Sequence, residues 1–353
     1  MNIKSITLTN FRNHKKLHMD FDPKINLIVG PNGAGKTNIL EAIHLISTTK
    51  SFRARFDRDL IKHNEDFAKV EAKITSKDET EDYELQIVKS PRTENTSIKK
   101  VKVNSIPKSL SNFTSLVSTV LFSPEDIDII TGSPSNRRKY LNMLLFQVDK
   151  GYKKTCADYV KVVRRRNKLL ENIRDTSRGY DQLPFWNNKL LELGENIQQR
   201  REELIIHLNN YMLKDEVEHI RNSKVLSVKY KINRVDTKRL LEYKDLEIRA
   251  KKTLIGPHRD DLIFAQNDND MAQFASRGEQ RTSIFLLKQA EYAYITLKLG
   301  TKPILLLDDI FSELDNNHRE TILSYISNQQ TIITTAVKKE FSDFYVNNTV
   351  SLT

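Results

Sequence analysis

Apolar and polar side chains alternate over short stretches in the first third of the chain, which is the pattern of half-buried β-strands. These stretches are rich in β-branched residues, and polar turns separate them. The predicted strands are residues 3–8, 24–29, 68–74, 83–88 and 98–103. One helix interrupts them, from Gly35 to about Leu45, directly after the strand that ends at Val29. The pattern therefore predicts a strand, a glycine-rich turn and a helix in succession.

From about residue 136, apolar positions recur every three or four residues and glycine and proline become rare, which indicates long helices. Apolar residues between positions 141 and 173 fit one face of a single long helix that ends in the polar stretch 175–184. In a second helix, apolar residues from Trp186 to Tyr211 keep a heptad spacing. Two helices joined by a short polar link predict an antiparallel hairpin. The pattern leaves open whether the hairpin projects as a short arm or packs as a compact subdomain.

Mixed patterning returns after residue 225, with strands predicted at 225–232, 304–307 and 330–334 and a helix at 279–297. We therefore predict an α/β fold in which both chain ends build one domain, with mixed β-sheets around the glycine-rich turn. That domain comprises residues 1–135 and 225–353, and residues 136–224 form an inserted helical subdomain.

The composition is that of a soluble globular protein, with 38% hydrophobic and 29% charged residues. No apolar run approaches the roughly 20 residues that span a bilayer, and the first residues lack the apolar core of a secretory signal. Cys156 is the only cysteine, which excludes an intrachain disulfide and suits a reducing, cytoplasmic location. A net charge of +11 makes nucleic acid a plausible partner without establishing one.

The glycine-rich turn matches the phosphate-loop pattern of Gly, four residues, Gly, Lys and Thr. Its backbone N–H groups and the following helix N-terminus favour a bound phosphate. Lys36 is expected to bridge the β- and γ-phosphates of ATP, and the Thr37 hydroxyl to coordinate Mg²⁺. The predicted nucleotide-binding residues here are Gly30, Pro31, Asn32, Gly33, Ala34, Gly35, Lys36, Thr37 and Asn38.

A pair of aspartates follows the apolar run at 304–307, which predicts a strand buried on both faces. Two carboxylates at the end of such a strand are unfavourable unless a cation lies near them. Asp308 is therefore the predicted Mg²⁺ contact, through water. Asp309 is the predicted general base that orients or activates the attacking water.

The segment Ser276-Arg277-Gly278-Glu279-Gln280 opens a predicted helix and resembles the Leu-Ser-Gly-Gly-Gln signature of ABC ATPases, with Arg277 in place of the first glycine. In ABC heads this motif reaches the γ-phosphate held by a partner subunit, so the resemblance implies a homodimer. Ser276, Gly278, Glu279 and Gln280 are accordingly predicted to contact nucleotide. A plain helix cap, with Ser276 as N-cap and Glu279 at the third position, is the alternative.

Taken in order, the motifs resemble those of the RecF family of bacterial recombination mediators, whose heads are similar to those of SMC-type ATPases. The resemblance spans the whole chain and implies an ABC-type ATPase head. It is carried by Leu8-Thr9-Asn10-Phe11-Arg12-Asn13, the loop Gly30 to Asn38, Leu121-Phe122-Ser123-Pro124-Glu125-Asp126, Gly132-Ser133-Pro134 with Arg137-Arg138, Ile255-Gly256-Pro257-His258-Arg259-Asp260-Asp261, Ser276 to Arg281, and Leu307 to Asp315.

By resemblance, ATP closes two heads, DNA binds across the closed dimer, and hydrolysis releases it. RecO- and RecR-type mediators then help to load recombinase at gapped DNA, in repair, replication restart and SOS induction. Residues 312–315 resemble the D-loop that crosses the dimer interface, and Arg12 is expected to approach the phosphates. Thr335 stands where many ABC ATPases have a switch histidine, and no clear Q-loop glutamine precedes the helices. Hydrolysis is therefore expected to be slow.

Basic clusters are the candidates for DNA contact, since phosphate contacts are independent of base sequence and sensitive to salt. A solvated surface is the alternative for each cluster. The main candidates are Arg137, Arg138, Lys139, Arg164, Arg165 and Arg166, followed by Lys168, Lys99, Lys100 and Lys102.

Two other classes of protein share some of these motifs. The nucleotide-binding subunit of a transporter has the loop, the signature and the strand aspartates, but usually carries a switch histidine and has no basic helical hairpin. A structural DNA tether of the SMC type needs a much longer arm with a hinge or a zinc hook, for which this chain has neither the length nor the cysteines.

Overall fold

A computed structural model of the chain describes residues 1–76, 79–90, 96–114, 116–214, 217, 225–310, 326, 329–336 and 346–352. The chain divides into two compact units. The first comprises Met1–Asp126 and Glu291–Thr353, and the second comprises Ile127–Ala290. The second unit extends beyond the predicted insertion at 136–224, because the strands between residues 226 and 270 pair with one another within it.

The strands of the described residues are β1 (Asn2–Phe11), β2 (His14–Asp20), β3 (Ile25–Val29), β4 (Phe67–Ser76), β5 (Glu79–Lys89), β6 (Ser97–Val103), β7 (Ile106–Lys108), β8 (Thr119–Phe122), β9 (Leu226–Lys231), β10 (Asp261–Gln266), β11 (Asn269–Asp270), β12 (Ile304–Asp308), β13 (Thr331–Thr335) and β14 (Asn348–Ser351).

The helices are α1 (Lys36–Thr48), α2 (Leu110–Phe113), α3 (Asp128–Thr131), α4 (Pro134–Val148), α5 (Lys150–Thr176), α6 (Leu183–Met212), α7 (Thr237–Glu242), α8 (Lys244–Ala250), α9 (Met271–Phe274) and α10 (Arg277–Leu299). Within the described ranges, no helix is both long enough and apolar enough to cross a membrane.

The first unit contains a parallel sheet in the order β14-β3-β13-β12-β8. All residues of β12 and β13 are buried, which explains why their sequences are continuous apolar or threonine-rich runs rather than alternating ones. Parallel neighbours end at the same edge of a sheet, so the ends of β3, β13 and β12 lie side by side. This edge carries the glycine-rich loop and the aspartate pair.

An antiparallel sheet in the order β2-β1-β4-β5-β6-β7 completes the first unit. Its strands alternate, with inward residues such as Leu8 and Val70 buried. Helix α1 is buried along most of its length, and its apolar residues join one core with residues of both sheets. Ile43, for example, belongs to the same buried cluster as Leu8 and Leu306. The helix that follows the loop is therefore fixed by the core of the unit.

The predicted helical hairpin is present in the second unit as α5 and α6, with Leu190, Ile197 and Leu204 buried along the heptad positions. The single helix predicted across residues 141–173 was wrong, because Asp149 separates α4 from α5. Its backbone is extended (φ −138°, ψ 100°), and its side chain accepts a hydrogen bond from the Tyr152 N–H. Aspartate is a preferred N-cap residue, and this local signal marks the break.

A buried ion pair holds α6 to the segment that precedes β10. Arg201 Nη1 lies 3.0 Å from Asp260 Oδ2, and both side chains are at most 4% exposed. Asp260 also accepts hydrogen bonds from Gln198 Nε2 at 2.9 Å, from the Asn233 N–H at 2.8 Å and from the Tyr230 hydroxyl. Every lone-pair direction of this carboxylate is thus used within the second unit.

Removing the Asp260 carboxylate is expected to destabilise the second unit strongly. Asp260→Ala leaves the buried Arg201 guanidinium without its counter-charge, a change that costs about 3–5 kcal/mol of unfolding free energy. Urea unfolding followed by circular dichroism measures the loss. Asp268→Ala, which removes an exposed partner of Lys229, is the control and should unfold like the wild type. Equal stability of the two variants would contradict the structural role of Asp260.

Lys99 was predicted to contact DNA, and the structure contradicts that role. Its side chain is only 4% exposed, and its Nζ donates to the Thr49 carbonyl and to Asp57 Oδ1, both at 2.6 Å. Burial lowers the pKa of Lys99 to about 8, against the opposing effect of Asp57. Of the neighbouring lysines, Lys100 is exposed and Lys102 pairs with Glu84 at 3.0 Å.

The lowered pKa of Lys99 predicts a pH-dependent stability. Between about pH 8 and the ordinary lysine value of 10.5, the unfolded chain binds the proton more tightly than the folded chain does. The unfolding free energy should therefore rise with pH across this window, by about 1–3 kcal/mol. Lys99→Met should flatten the rise, and Lys100→Met, at an exposed neighbouring position, should keep it. Parallel stability curves for wild type and Lys99→Met would refute the assignment.

Candidate nucleotide site

The glycine-rich loop connects β3 to α1 at the shared edge of the parallel sheet. The Gly30 N–H points to the Thr335 carbonyl at 3.4 Å, which links the loop to the end of β13. Gly30 is also crowded by the residue that follows β14, since a Cβ at this position would lie 2.8 Å from the Leu352 carbonyl oxygen. Gly33 and Gly35 have φ values of +88° and +95°, in the region that favours glycine. The loop residues Pro31, Asn32 and Gly33 are exposed.

Lys36 is the first residue of α1 and is buried at 7% exposure. Its Nζ donates to the carbonyls of Gly30 at 2.7 Å and Pro31 at 3.1 Å. The ammonium group therefore lies against the loop backbone, where the helix N-terminus adds positive potential. A phosphate on this loop would meet both the lysine charge and the N–H groups of the first helical turn.

The Asp308 carboxylate lies next to Thr37 in the structure. Thr37 Oγ1 donates to Asp308 Oδ1 at 2.9 Å, and Thr334 Oγ1 donates to the same oxygen at 2.7 Å. Burial raises the pKa of Asp308, and the hydrogen bonds from Thr334 and Thr37 oppose this effect. A hydroxyl and a carboxylate in contact are the oxygen ligands that Mg²⁺ takes when phosphate and water supply the rest. The residues present thus fit that ion, and Thr334 is a site residue that the sequence did not reveal.

Asp309 leaves β12 in a left-handed conformation with φ +49°. Its N–H points to the Thr334 carbonyl at 3.1 Å and to Thr334 Oγ1 at 3.2 Å. Aspartate tolerates this region better than most residues. The turn separates the half-buried Asp309 from the buried Asp308.

The turn between β1 and β2 lies against the loop, and it does so through Asn13 and His14, which the sequence did not single out. His14 Nε2 is 3.2 Å from the Gly35 carbonyl, and Asn13 accepts a hydrogen bond from Asn38 Nδ2 at 2.8 Å. A Cβ on Gly35 would lie 2.5 Å from His14 Nε2. Burial lowers the pKa of His14, with the Gly35 hydrogen bond opposing it and the charge of Lys62 adding to it. Gly35 is therefore required by this contact as well as by its φ.

Arg12 was predicted to approach the phosphates, and the structure gives it a different role. Its Nε and Nη2 donate to the two oxygens of Glu41, each at 2.8 Å, and its Nη1 donates to the Asp59 carbonyl at 2.9 Å. Glu41 is fully buried in α1 and also accepts from Ser51. A fully buried carboxylate requires such a partner, so Arg12 is a positioning residue for α1.

Arg53 brings positive charge to the site and was not predicted. Its Nη1 is 3.5 Å from Asn38 Oδ1, and its Nε is 3.5 Å from Glu125 Oε1. Its charge also acts to lower the pKa of Asp308. Arg53 follows α1 by a short connection in which Ser51 binds Glu41, so the position of Arg53 depends on the same contacts as that of Arg12.

The segment from Ser276 to Gln280 begins α10 in the second unit, and Ser276, Arg277 and Gly278 are exposed. Ser276 and Glu279 form a reciprocal cap: the Ser276 N–H donates to Glu279 Oε2 at 2.7 Å, and the Glu279 N–H donates to Ser276 Oγ at 3.3 Å. Gln280 was predicted to contact nucleotide, but its amide is buried and donates to the Met271 carbonyl at 2.9 Å. Open space adjoins Gly278.

Two of the arginines predicted to contact DNA are buried ion-pair partners, as Lys99 is. Arg137 binds both oxygens of Asp261, at 2.7 and 3.0 Å. Arg166 is 1% exposed and binds Glu247 at 2.6 Å, with further hydrogen bonds to Thr253 and Asn187. Neither guanidinium is available to a phosphate, so both predictions were wrong.

The other arginines and lysines of the predicted clusters reach the surface. Arg138 is half-buried and donates to the Asp260 carbonyl at 2.8 Å. Lys139, Arg164, Arg165 and Lys168 are exposed, and Lys168 pairs with Glu171 at 2.7 Å. The predicted D-loop at 312–315 lies outside the described residues.

Comparisons with known proteins agree with this architecture. Residues 2–352 match the family model of the RecF/RecN/SMC N terminal domain. The protein named DNA replication and repair protein RecF of Agathobacter rectalis is 35% identical over 97% of this chain and 94% of its own length. Its namesake from Bacillus thuringiensis is 35% identical over 95% of this chain and 92% of its own length.

Solved structures give the same result. One, described as the recombination mediator protein RecF-ATP in the RecFOR pathway, matches 99% of this chain and 95% of its own, with 33% identity and a TM-score of 0.90. An Smc head bound to a domain of ScpA matches at 15% identity, covering 99% of this chain and 93% of its own with a TM-score of 0.51, and shares the fold. The predicted ABC-type head fold is thereby confirmed, and the chain belongs to the RecF family.

Proposed function

We propose that this chain is an ATP-dependent, DNA-binding recombination mediator of the RecF type that acts in DNA repair. The observation that carries the proposal is the convergence of Lys36, Thr37 and Asp308 at one edge of the parallel sheet, with 2.9 Å between the Thr37 hydroxyl and the Asp308 carboxylate. Near full-length similarity to proteins named RecF supports the biological role.

ATP is the proposed ligand, and it binds with its phosphates on the loop Gly30–Thr37. The loop N–H groups hold the β-phosphate, and Lys36 Nζ moves from the loop carbonyls to the β- and γ-oxygens. Thr37 and Asp308 would hold Mg²⁺, which would supply charge neutralisation on the phosphates. Thr334 keeps Asp308 in place through its 2.7 Å hydrogen bond.

Asp309 is the proposed general base for hydrolysis. The left-handed turn separates its carboxylate from the Mg²⁺-binding Asp308, so the two aspartates perform different tasks. Thr335, at the end of β13, stands where related ATPases carry a histidine, and its backbone is engaged with Gly30. We therefore propose that ATP hydrolysis is slow. We also propose that DNA stimulates it.

The exposed end of α10 is the proposed contact with a second copy of the chain. Ser276 and Gly278 present a helix N-terminus to solvent, and the γ-phosphate held by the other copy completes it. The closed dimer then binds DNA, for which Arg138, Lys139, Arg164 and Arg165 are the remaining candidate contacts. RecO- and RecR-type mediators are the proposed further partners.

Two substitutions should separate nucleotide binding from dimer formation. Lys36→Arg replaces a compact ammonium by a larger planar group, so ATP affinity and ATP-dependent dimerisation should both fall, by about tenfold or more. Ser276→Arg should leave ATP affinity within about twofold of wild type and abolish dimerisation, because the added side chain blocks the helix end. Equilibrium binding of labelled ATP and sedimentation with and without ATP measure the two effects.

A control for Ser276→Arg has to lie away from the predicted dimer interface, and this excludes Ser312 in the predicted D-loop. Thr80→Arg, which also puts an arginine in place of a small polar side chain at an exposed position of the first unit, is the matched control. Normal ATP-dependent dimerisation of Ser276→Arg would show that the helix end does not act on a partner subunit. ATPase activity stimulated by a membrane protein and not by DNA would instead favour a transporter subunit.

Asp309→Asn should slow hydrolysis without weakening nucleotide binding. An amide cannot accept the proton of the attacking water, so the turnover rate should fall by about 10²–10⁴-fold. Dimers formed in ATP should persist correspondingly longer, as measured by the decay of the sedimenting dimer after excess ATP is removed. Wild-type turnover in Asp309→Asn would assign the base to another residue.

A further inference from the structure

The end of the α5–α6 hairpin carries aromatic side chains that face solvent. Tyr180 lies in the connection between the helices and is 46% exposed, and Phe185 lies in the first turn of α6 and is 58% exposed. Trp186 is half-buried and packs on a small core that includes Leu170 and Leu183. This small core is completed without Phe185 or Tyr180, so folding of the hairpin does not account for the two exposed rings.

Cationic side chains lie over the rings of Trp186 and Tyr180. The Arg165 guanidinium is 5.7 Å from the centre of the Trp186 ring, and the Lys244 ammonium is 5.5 Å from the centre of the Tyr180 ring. The rings of Phe185 and Trp186 meet edge to face with their centres 5.1 Å apart. The end of the hairpin and the start of α8 therefore combine aromatic and cationic groups in what we call the hairpin-end surface: Arg165, Tyr180, Phe185, Trp186 and Lys244.

The charge around this surface is predominantly positive. Of the acidic side chains nearby, Glu171 pairs with Lys168 at 2.7 Å and Asp175 with Lys251 at 2.8 Å, while Asp181 and Asp245 are exposed and are outnumbered by basic residues. Exposed basic residues of the same helices and of the connection are Arg164, Arg165, Arg174 and Arg178. An anionic partner is therefore favoured over a neutral or cationic one.

We propose that the hairpin-end surface binds single-stranded nucleic acid, with unpaired bases stacked on Phe185 and Tyr180 and phosphates near Arg165 and Lys244. Every base has a face that can stack on an aromatic ring, so such a surface binds without sequence preference. In a duplex the bases stack on one another and are not available to the rings. The inference rests on the proposed function only in taking DNA as the polyanion, and it names unpaired bases as the feature that this surface recognises.

The alternative ligand for this surface is an acidic segment of a partner protein. Carboxylates would satisfy the basic side chains, but they would leave the faces of Phe185 and Tyr180 without a planar partner. Aromatic rings interleaved with arginine and lysine are the combination that unpaired nucleotides use fully, since the bases cover the rings and the phosphates meet the charges.

Trp186 is the only tryptophan in the chain, so its intrinsic fluorescence reports on this surface alone. Titration of the full-length protein with a short oligodeoxythymidylate should quench Trp186 fluorescence, and the quenching should weaken as salt is raised. The same sequence as a blunt duplex should quench weakly, because its bases are paired. Polyglutamate, a probe for an acidic protein partner, should not quench.

Tyr180→Leu/Phe185→Leu keeps apolar side chains and removes both rings. This double variant should bind the oligodeoxythymidylate at least about tenfold more weakly, as followed by Trp186 quenching and by anisotropy of a labelled strand. Ile206→Ala is the matched control, since it truncates a side chain of α6 that is 60% exposed and has no ring. Thermal unfolding should be the same for all three proteins, because the altered side chains face solvent.

Undiminished strand binding by Tyr180→Leu/Phe185→Leu would overturn the inference, as would duplex quenching equal to that of the single strand. Quenching by polyglutamate without quenching by the single strand would assign the surface to a protein partner and also overturn it. Binding of a gapped duplex in the presence of ATP, measured separately, tests the proposed function. If the wild-type protein does not bind the gapped duplex but the single strand still quenches its Trp186 fluorescence, the proposed function is refuted and this inference stands.

Discussion

The buried carboxylate of Asp308 is the constraint on which the nucleotide site depends. Asp308 stands at the end of a fully buried strand, where a lone negative charge is unfavourable, and two threonine hydroxyls hold it. Thr37 belongs to the helix after the glycine-rich loop and Thr334 to the strand between β3 and β12. One side chain thus ties together the three elements whose ends form the site, so a disturbance of any of them changes the environment of Asp308.

Contacts behind the loop fix the start of α1. The Arg12–Glu41 pair, with Ser51 on the same carboxylate, fastens α1 to the turn after β1 and to the segment that leads to Arg53. Asn13 and His14 lie against Gly35, where only glycine leaves room for them. The side chains of Arg12, Asn13 and His14 are engaged in contacts that hold the backbone in place. The lysine and the exposed loop residues are the groups through which the proposed ATP contacts are made.

The second unit uses arginine in two ways. Arg137, Arg166 and Arg201 each bind a carboxylate inside the unit and stabilise its packing. Arg164 and Arg165 are neighbours of Arg166 on α5 but are exposed, and Arg165 lies over the Trp186 ring. The helical period places adjacent residues on different faces, so one run of three arginines supplies both a buried ion pair and part of a proposed nucleic-acid surface.

The sequence by itself determined the strands and helices with strong periodicity, the phosphate loop and the aspartate pair. These features depend on the spacing of residues that are close together in the chain, and that spacing can be read directly from the sequence. It did not determine the roles of Arg12, Arg137, Arg166 and Gln280. Each of these side chains has the same chemistry whether it meets water, a phosphate or a buried partner. The partner of Arg137, Asp261, lies 124 positions away, and only the tertiary structure brings the two together and removes that arginine from solvent.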